Sequence, residues 1–234
     1  MSASVLDPST LHPSMLKRLI LKDWYFLRGA IGGYLAAGAL ALALIGAGSE
    51  GPVYLGVVLL LTILIGVGIH LAMATVVQER TDHTLPFVMS LPISPRDYTT
   101  AKVLANVILF LIPWLTLTLG SMAVIAGRKS LQDGLIPFVA VLMGEIFVSY
   151  TLILATALVT ESQAWTIGVM VTLNLAFQGF LYAVSHLPSL AAVMKGDAVV
   201  WPPAALGLLA AELAAILLAL GLTFFFQARK TDFL

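Results

Sequence analysis

The sequence predicts an all-α, polytopic membrane protein with six transmembrane helices. Three observations carry that expectation. Of 234 residues, 60% are hydrophobic and 10% charged, whereas an average soluble domain is roughly 45–50% apolar and about 25% charged. So sparse a polar complement cannot coat a globule, and lipid must be the solvent. Six apolar runs reach the length of about 20 residues that a helix needs to cross the hydrocarbon core. Finally, Lys and Arg are unevenly shared between the two sets of connections.

The elements follow in order. Residues 1–13 hold Asp7, His12 and two prolines, with no early apolar core after a basic start; this is not a secretory signal pattern. Residues 14–28 are expected to form an N-terminal amphipathic interfacial helix. At 100° per residue Leu16, Leu19, Ile20, Trp24 and Leu27 share one face, and Lys17, Arg18, Lys22 and Arg28 the other. A helix with a basic polar face and Trp on its apolar side lies in the headgroup plane. Asp23 falls inside the apolar face. It either pairs with a cation of a neighbouring loop or partner, or reaches headgroup water.

The six spans cover about 29–48, 53–77, 101–126, 135–159, 164–184 and 204–226 of a single transmembrane domain. All must be helices, because backbone amides in lipid are satisfied only within the segment. Gly48-Ser49-Glu50-Gly51-Pro52, the stretch Gly127 to Gly134, and Trp201-Pro202-Pro203 break them apart. Thr160-Glu161-Ser162-Gln163 fits a capping box that turns the chain sharply between the fourth and fifth spans. The segment 185–203 is expected to be either a short surface or re-entrant helix, or an interfacial loop anchored by Trp201. Gly29 and Gly33 have the spacing that permits close helix approach, weak support for dimerisation through the first span.

Orientation follows from the basic residues. Lys17, Arg18, Lys22, Arg28, Arg80, Arg96, Lys102, Arg229 and Lys230 fall on one side, and Arg128, Lys129 and Lys195 on the other. Nine against three places both termini in the cytoplasm. A net charge of zero gives no sign of nucleic acid, and the chain has no cysteine for a disulfide, metal ligand or nucleophile.

The longest polar interval between spans is 78–98. Glu79 and Arg80 end the second span. Leu91-Pro92-Ile93-Ser94-Pro95 is stiff, since two prolines fix φ and lack amide donors. Ser94 is placed to cap a helix with Pro95 at its first position, continuing through Lys102 into the third span. The outcome is a rigid cytoplasmic elbow whose apolar tips (Leu85, Phe87, Val88, Leu91) are framed by charge.

Glu79-Arg80, Thr84, Leu91-Pro92-Ile93-Ser94, Arg96 and Lys102 together resemble the loop between the second and third spans of ABC-2-type transporter permeases, the membrane subunits of ABC transporters. His83 stands where that family usually has Gly. The span count and length extend the likeness over the chain. The resemblance implies that the elbow is a coupling element seated in a separate ATPase subunit, with Glu79, Arg80, Thr84, Leu85, Phe87, Leu91, Pro92, Arg96 and Lys102 as coupling residues. It implies ATP and Mg bound by that partner, with no cofactor or metal in this chain. It also implies a homodimer or a heterodimer with a similar permease, residence in a bacterial or archaeal cytoplasmic membrane, and export. This chain carries no ATPase motif. A P-loop needs G-x-x-x-x-G-K-[ST], and its nearest imitation, Gly127-Arg128-Lys129-Ser130, has Met122 in place of the first glycine and Arg128 in place of Lys.

Polar residues within spans complete the reading. Glu145, Glu212 and His70 face the bundle interior, a partner or a wet cavity, because a carboxylate at the bilayer centre costs about 2.5–3.5 kcal/mol on insertion scales. Glu145 shares a stripe with Ser149, Thr156 and roughly Thr160, a candidate polar seam. Asn174 and Gln178 are neighbours on the fifth span. The resemblance implies a pathway between two permease copies, walled by the first, second and fifth spans. That favours His70, Asn174 and Gln178, with Phe177 and Phe180 as apolar wall, and an amphiphilic or lipid-like cargo. The alternative for each is plain interhelical hydrogen bonding. A rival for the whole chain is a stand-alone channel or secondary transporter using Glu145 and His70.

Overall fold

An apolar run with no water for its amides has the helix as its only self-sufficient form. A computed structural model describes residues 13–81, 95–128 and 130–229, and these are helices joined by short connections, with no strand among them. In chain order they are α1 (Pro13–Gly46), α2 (Glu50–Ala72), a π-helical segment (Met73–Val77), α3 (Gln78–Thr81), α4 (Pro95–Gly127), α5 (Leu135–Thr160), α6 (Gln163–Ser185), α7 (Pro188–Val193) and α8 (Pro203–Arg229). Among the described residues six stretches are long and apolar enough to cross a membrane: Ile20–Gly46, Glu50–Val77, Thr99–Gly127, Leu135–Thr160, Gln163–Ser185 and Pro203–Arg229.

The first span departs from expectation. Residues 14–28 are not a separate element, because α1 runs uninterrupted for 34 residues. At about 1.5 Å per residue that is about 51 Å, well beyond the hydrocarbon thickness of about 30 Å. The physical reason is burial along one stripe. Asp23, Leu27 and Ile31 are all buried in the bundle, which holds the basic segment in line with the span. Gly29, Gly32 and Gly33 do not break it.

α1 packs on α2 and α4; α5 packs on α4, α6 and α8. The main core joins the first four spans through Ile31, Leu64, Leu109, Phe110, Ile146 and Tyr150. Phe110 stacks on Tyr150 with ring centroids 4.0 Å apart, and Trp114 Nε1 donates to the Met143 carbonyl at 2.8 Å, so the third and fourth spans are keyed by aromatic rings. Gln227 Nε2 donates to the Leu158 carbonyl and ties the end of α8 to α5.

The turn between the fourth and fifth spans is tight, but its cap is shifted. Glu161 takes the left-handed conformation (φ 57°) that ends α5, and Ser162 is the N-cap of α6, its Oγ accepting from Trp165 N at 3.4 Å. Thr160, the expected cap, bonds back to the Thr156 carbonyl at 2.8 Å instead. A residue still inside one helix cannot cap the next. Within 185–203 the chain forms the short helix α7, whose Leu190 is buried. Gly134 N donates to Gly196 O at 3.0 Å, fastening this segment to the start of α5.

Candidate functional site

The chain enters the 82–94 interval from α3 and leaves it into α4. The two flanking helices are cross-tied to α1 by four charged side chains. Lys102 Nζ donates to Asp23 Oδ2 at 3.0 Å and to Glu79 Oε1 at 2.8 Å. Lys22 Nζ donates to Glu79 Oε1 at 2.5 Å and lies 3.5 Å from Asp23 Oδ1. Two cations and two anions alternate in one cluster. Lys102 is 2% exposed and Asp23 5%, so water screens them little. Desolvating such charges is repaid only when each finds close, opposite partners, as here. Asp23, the misfit on the apolar face, is thus paired with a cation rather than open to headgroup water. Lys22, expected on the polar face, turns inward to join it.

Burial pushes the Glu79 carboxyl up, but Lys102 and Lys22 outweigh that and hold it below its ordinary value. A depressed carboxyl contributes stability that is fully present above its unfolded value of about 4.3. That contribution is lost as pH falls from there through the lowered folded value. The midpoint of thermal unfolding should therefore respond little to Glu79 near neutrality and decline on acidification below the ordinary carboxylate range. Glu79→Gln should flatten the acid limb; an acid limb of unchanged slope in that variant would exclude Glu79 as its source.

Directly before α3 the second span changes pitch. Met73–Val77 is π-helical, a rare geometry that often marks functional positions in otherwise regular helices. Thr75 Oγ1 within it lies 2.7 Å from the Leu71 carbonyl and 2.8 Å from Asn106 Oδ1, so its single proton has two acceptors in reach. Asn106 is fully buried. Its Nδ2 donates to the Lys102 carbonyl at 2.9 Å, and Tyr150 OH approaches its Oδ1 at 3.5 Å. Asn106 therefore joins the second, third and fourth spans one turn from Lys102. Sequence reasoning passed over it, although a lone amide inside an apolar span was a usable signal.

Of the expected coupling residues, Thr84, Leu85, Phe87, Leu91 and Pro92 lie outside the described residues. Arg80 sits in α3 and Arg96 in the first turn of α4. The structure brings Glu79 and Lys102 into contact, facing the bundle.

The expected pathway residues are dispersed. Asn174 and Phe177 line a cavity between the second, fourth and fifth spans together with Leu64, Gly68, Ser149 and Tyr150. It encloses about 20 Å³, room for about one water and none for a lipid-like cargo. Gln178 is exposed on α6. His70 Nδ1 is 3.0 Å from Tyr34 OH of the first span. Phe180 packs beside Val141, Val184, Leu190 and Ala205, in a separate cluster.

The polar seam expected along the fourth span is not formed. Thr156 Oγ1 bonds to the Leu152 carbonyl at 2.8 Å, and Ser149 Oγ is buried without a hydrogen-bond partner. Hydroxyls that can return to their own helix have no need of one another. Glu145 instead lies near enough to Glu212 of α8 for its charge to act there, a pairing that no local spacing announced. Among the described residues, no group of three His, Cys, Asp or Glu could hold a metal ion.

The family model described as ABC-2 type transporter matches residues 17–206. No curated protein and no solved structure matches the chain.

Proposed function

From the premise that the chain belongs to the ABC-2 type transporter family, an integral membrane permease and not itself the catalytic part, we propose that separate ATPase subunits dock on its 78–100 loop and that it exports an amphiphilic or lipid-like substrate. ATP and Mg are bound by those subunits. The observation that carries this reading is the four-charge cluster at the roots of the loop. A push on 82–94 arrives at α3 and α4, and through Glu79, Lys102, Asp23 and Lys22 it also reaches α1. The first three spans then move as one lever, while the π-helical segment above Glu79 gives the second span a place to bend. Two copies, or this chain and a similar one, enclose the pathway. Both termini and the loop face the cytoplasm, following the basic residues.

A water-sized cavity at Asn174 and Phe177 fits a resting state in which each copy is closed and the route lies between copies. Gln178, an amide exposed on a lipid-length helix, supports the fifth span as a face that a second copy covers, because an unpaired amide in hydrocarbon is costly. The rival relay of Glu145 and His70 has less support, since His70 is engaged by Tyr34 and Glu145 acts on Glu212.

The test is co-purification from native membrane. Glu79 is unsuitable as a docking probe, because its removal leaves Lys22 and Lys102 to share Asp23 alone. Arg96→Ala and the double variant Leu85→Ala/Phe87→Ala probe the docking surface beyond the charge cluster. Each is expected to weaken ATPase association roughly tenfold, the effect of losing about 1.4 kcal/mol of contact, with thermal stability unchanged. Full association in both would remove the loop as the docking site.

A further inference from the structure

Glu212 poses a problem that the transport reading does not solve. It is 6% exposed, and neither carboxylate oxygen has a hydrogen-bond partner. It packs on Gly144, where any side chain would overlap its carboxylate; the glycine makes room for the acid. Glu145 is the next residue, and its charge acts on Glu212. Glu145 lies ten residues past Leu135 and Glu212 nine past Pro203. At about 1.5 Å per residue both are about 14–15 Å from their helix ends, half of a hydrocarbon core about 30 Å thick. Two carboxyls near enough for one to act on the other thus lie at midplane depth, where the fourth and sixth spans pack together.

Two adjacent negative charges in that medium are not sustainable. Like charges at short range oppose joint ionisation, and both Glu212 oxygens are shut off from solvent without a partner. Among the described residues no basic side chain pairs with Glu212, and on α2, which packs against α5, His70 is engaged by Tyr34. The charged groups of α4 lie at its end near Lys102, α7 has none, and Arg229 stands at the far end of α8. On α5 itself Tyr150 is committed to Asn106, and α6 carries its one basic group, His186, beyond its last turn. Among the described residues a metal ion would lack its further ligands. What remains is a ligand that needs no coordination shell.

We propose that Glu145 and Glu212 form a proton-binding site at the bilayer midplane, holding one shared proton as an O–H···O link between the fourth and sixth spans. The proton comes from water and returns to it; no covalent bond between heavy atoms changes. With the proton, the pair carries one negative charge and the two helices are joined. Without it, two charges repel across the Gly144 contact and α5 and α8 are pushed apart. The site is independent of nucleotide, so it gives the permease a pH dependence of its own.

The test uses the full chain in lipid nanodiscs, with isotopically labelled glutamate and infrared spectroscopy. At neutral pH a protonated carboxyl absorption that moves with the label is expected. Glu50 and Glu161 stand at helix ends and Glu79 is held ionised by lysines, so the signal belongs to the pair. It should vanish in Glu212→Gln. Raising the pH should abolish it in the native chain and lower the melting temperature, a fall that Glu212→Gln and Glu145→Gln both remove. Absence of a labelled protonated carboxyl at neutral pH would overturn the proposal even if neither variant folds. Reversal of the alkaline fall by sodium or potassium would overturn it too, by making the ligand a metal cation.

Discussion

Lys102→Met is expected to destabilise the folded chain by about 3–5 kcal/mol, the range for removing one partner from a buried ionic cluster. Lys102 is 2% exposed and is the hub, with Asp23 Oδ2 at 3.0 Å and Glu79 Oε1 at 2.8 Å. Its loss leaves two buried carboxylates to one cation. Lys22 cannot compensate, since its side chain is 37% exposed and a part-exposed ion pair contributes little. The comparison that isolates charge from packing is the triple variant Asp23→Asn/Glu79→Gln/Lys102→Met. It leaves Lys22, whose side chain is 37% exposed and reaches water, as the one charge of the cluster, and should be more stable than Lys102→Met alone, because no buried carboxylate is left without a cation. Denaturant titration in detergent micelles reads both. If the single variant unfolds within about 0.5 kcal/mol of the native chain, the tolerance typical of surface sites, the cluster is not a structural joint. The lever attributed to the first three spans would then lose its hinge pin.

The second large effect concerns a glycine. A methyl group on Gly56 would sit 2.7 Å from the Ala41 carbonyl oxygen and 2.9 Å from Ile45 N. Those are backbone atoms of α1 and cannot rotate away, so α2 must retreat. Gly56→Ala should cost about 1–3 kcal/mol, as overpacking does, even though alanine recovers up to about 1 kcal/mol of helix propensity. Gly29→Ala and Gly33→Ala meet nothing within 4 Å and should be neutral or mildly stabilising in the isolated chain. If Gly29 and Gly33 serve instead at a contact between two copies, bulky residues there should lower the dimer fraction while leaving the monomer's melting temperature in place. A Gly56→Ala protein as stable as the native chain would show that the first two spans are not in van der Waals contact at that level.

These two cases show how differently the sequence served at different positions. Gly29 and Gly33 stood out by spacing, yet spacing cannot say which face of a helix meets a neighbour, and the close approach falls at Gly56. Asp23 stood out as a polar intruder on an apolar face. That signal was real, and a partner was foreseeable in kind; its identity, Lys102, is 79 positions away. Asn106 carried the same kind of signal and was passed over, because one amide among apolar neighbours looks like an ordinary interhelical bond until its three partners are known. The capping error had a local cause. Thr160 and Ser162 are both good caps, and only the left-handed turn at Glu161 decides which helix each belongs to.

What the sequence determined by itself was the solvent, the number of spans and the family: lipid tolerates few charges, amides in lipid force helices, and these are properties of composition and of runs along one chain. What only the tertiary structure decided was which polar groups meet. Lys102 with Asp23 and Glu79, Asn106 with Thr75, and Glu212 with Glu145 are pairings between helices. Hydropathy is the same on every face of an apolar helix, so it leaves the rotation of each span undetermined. Close packing at Gly56 and Gly144, and the cost of leaving a buried charge without a partner, set that rotation.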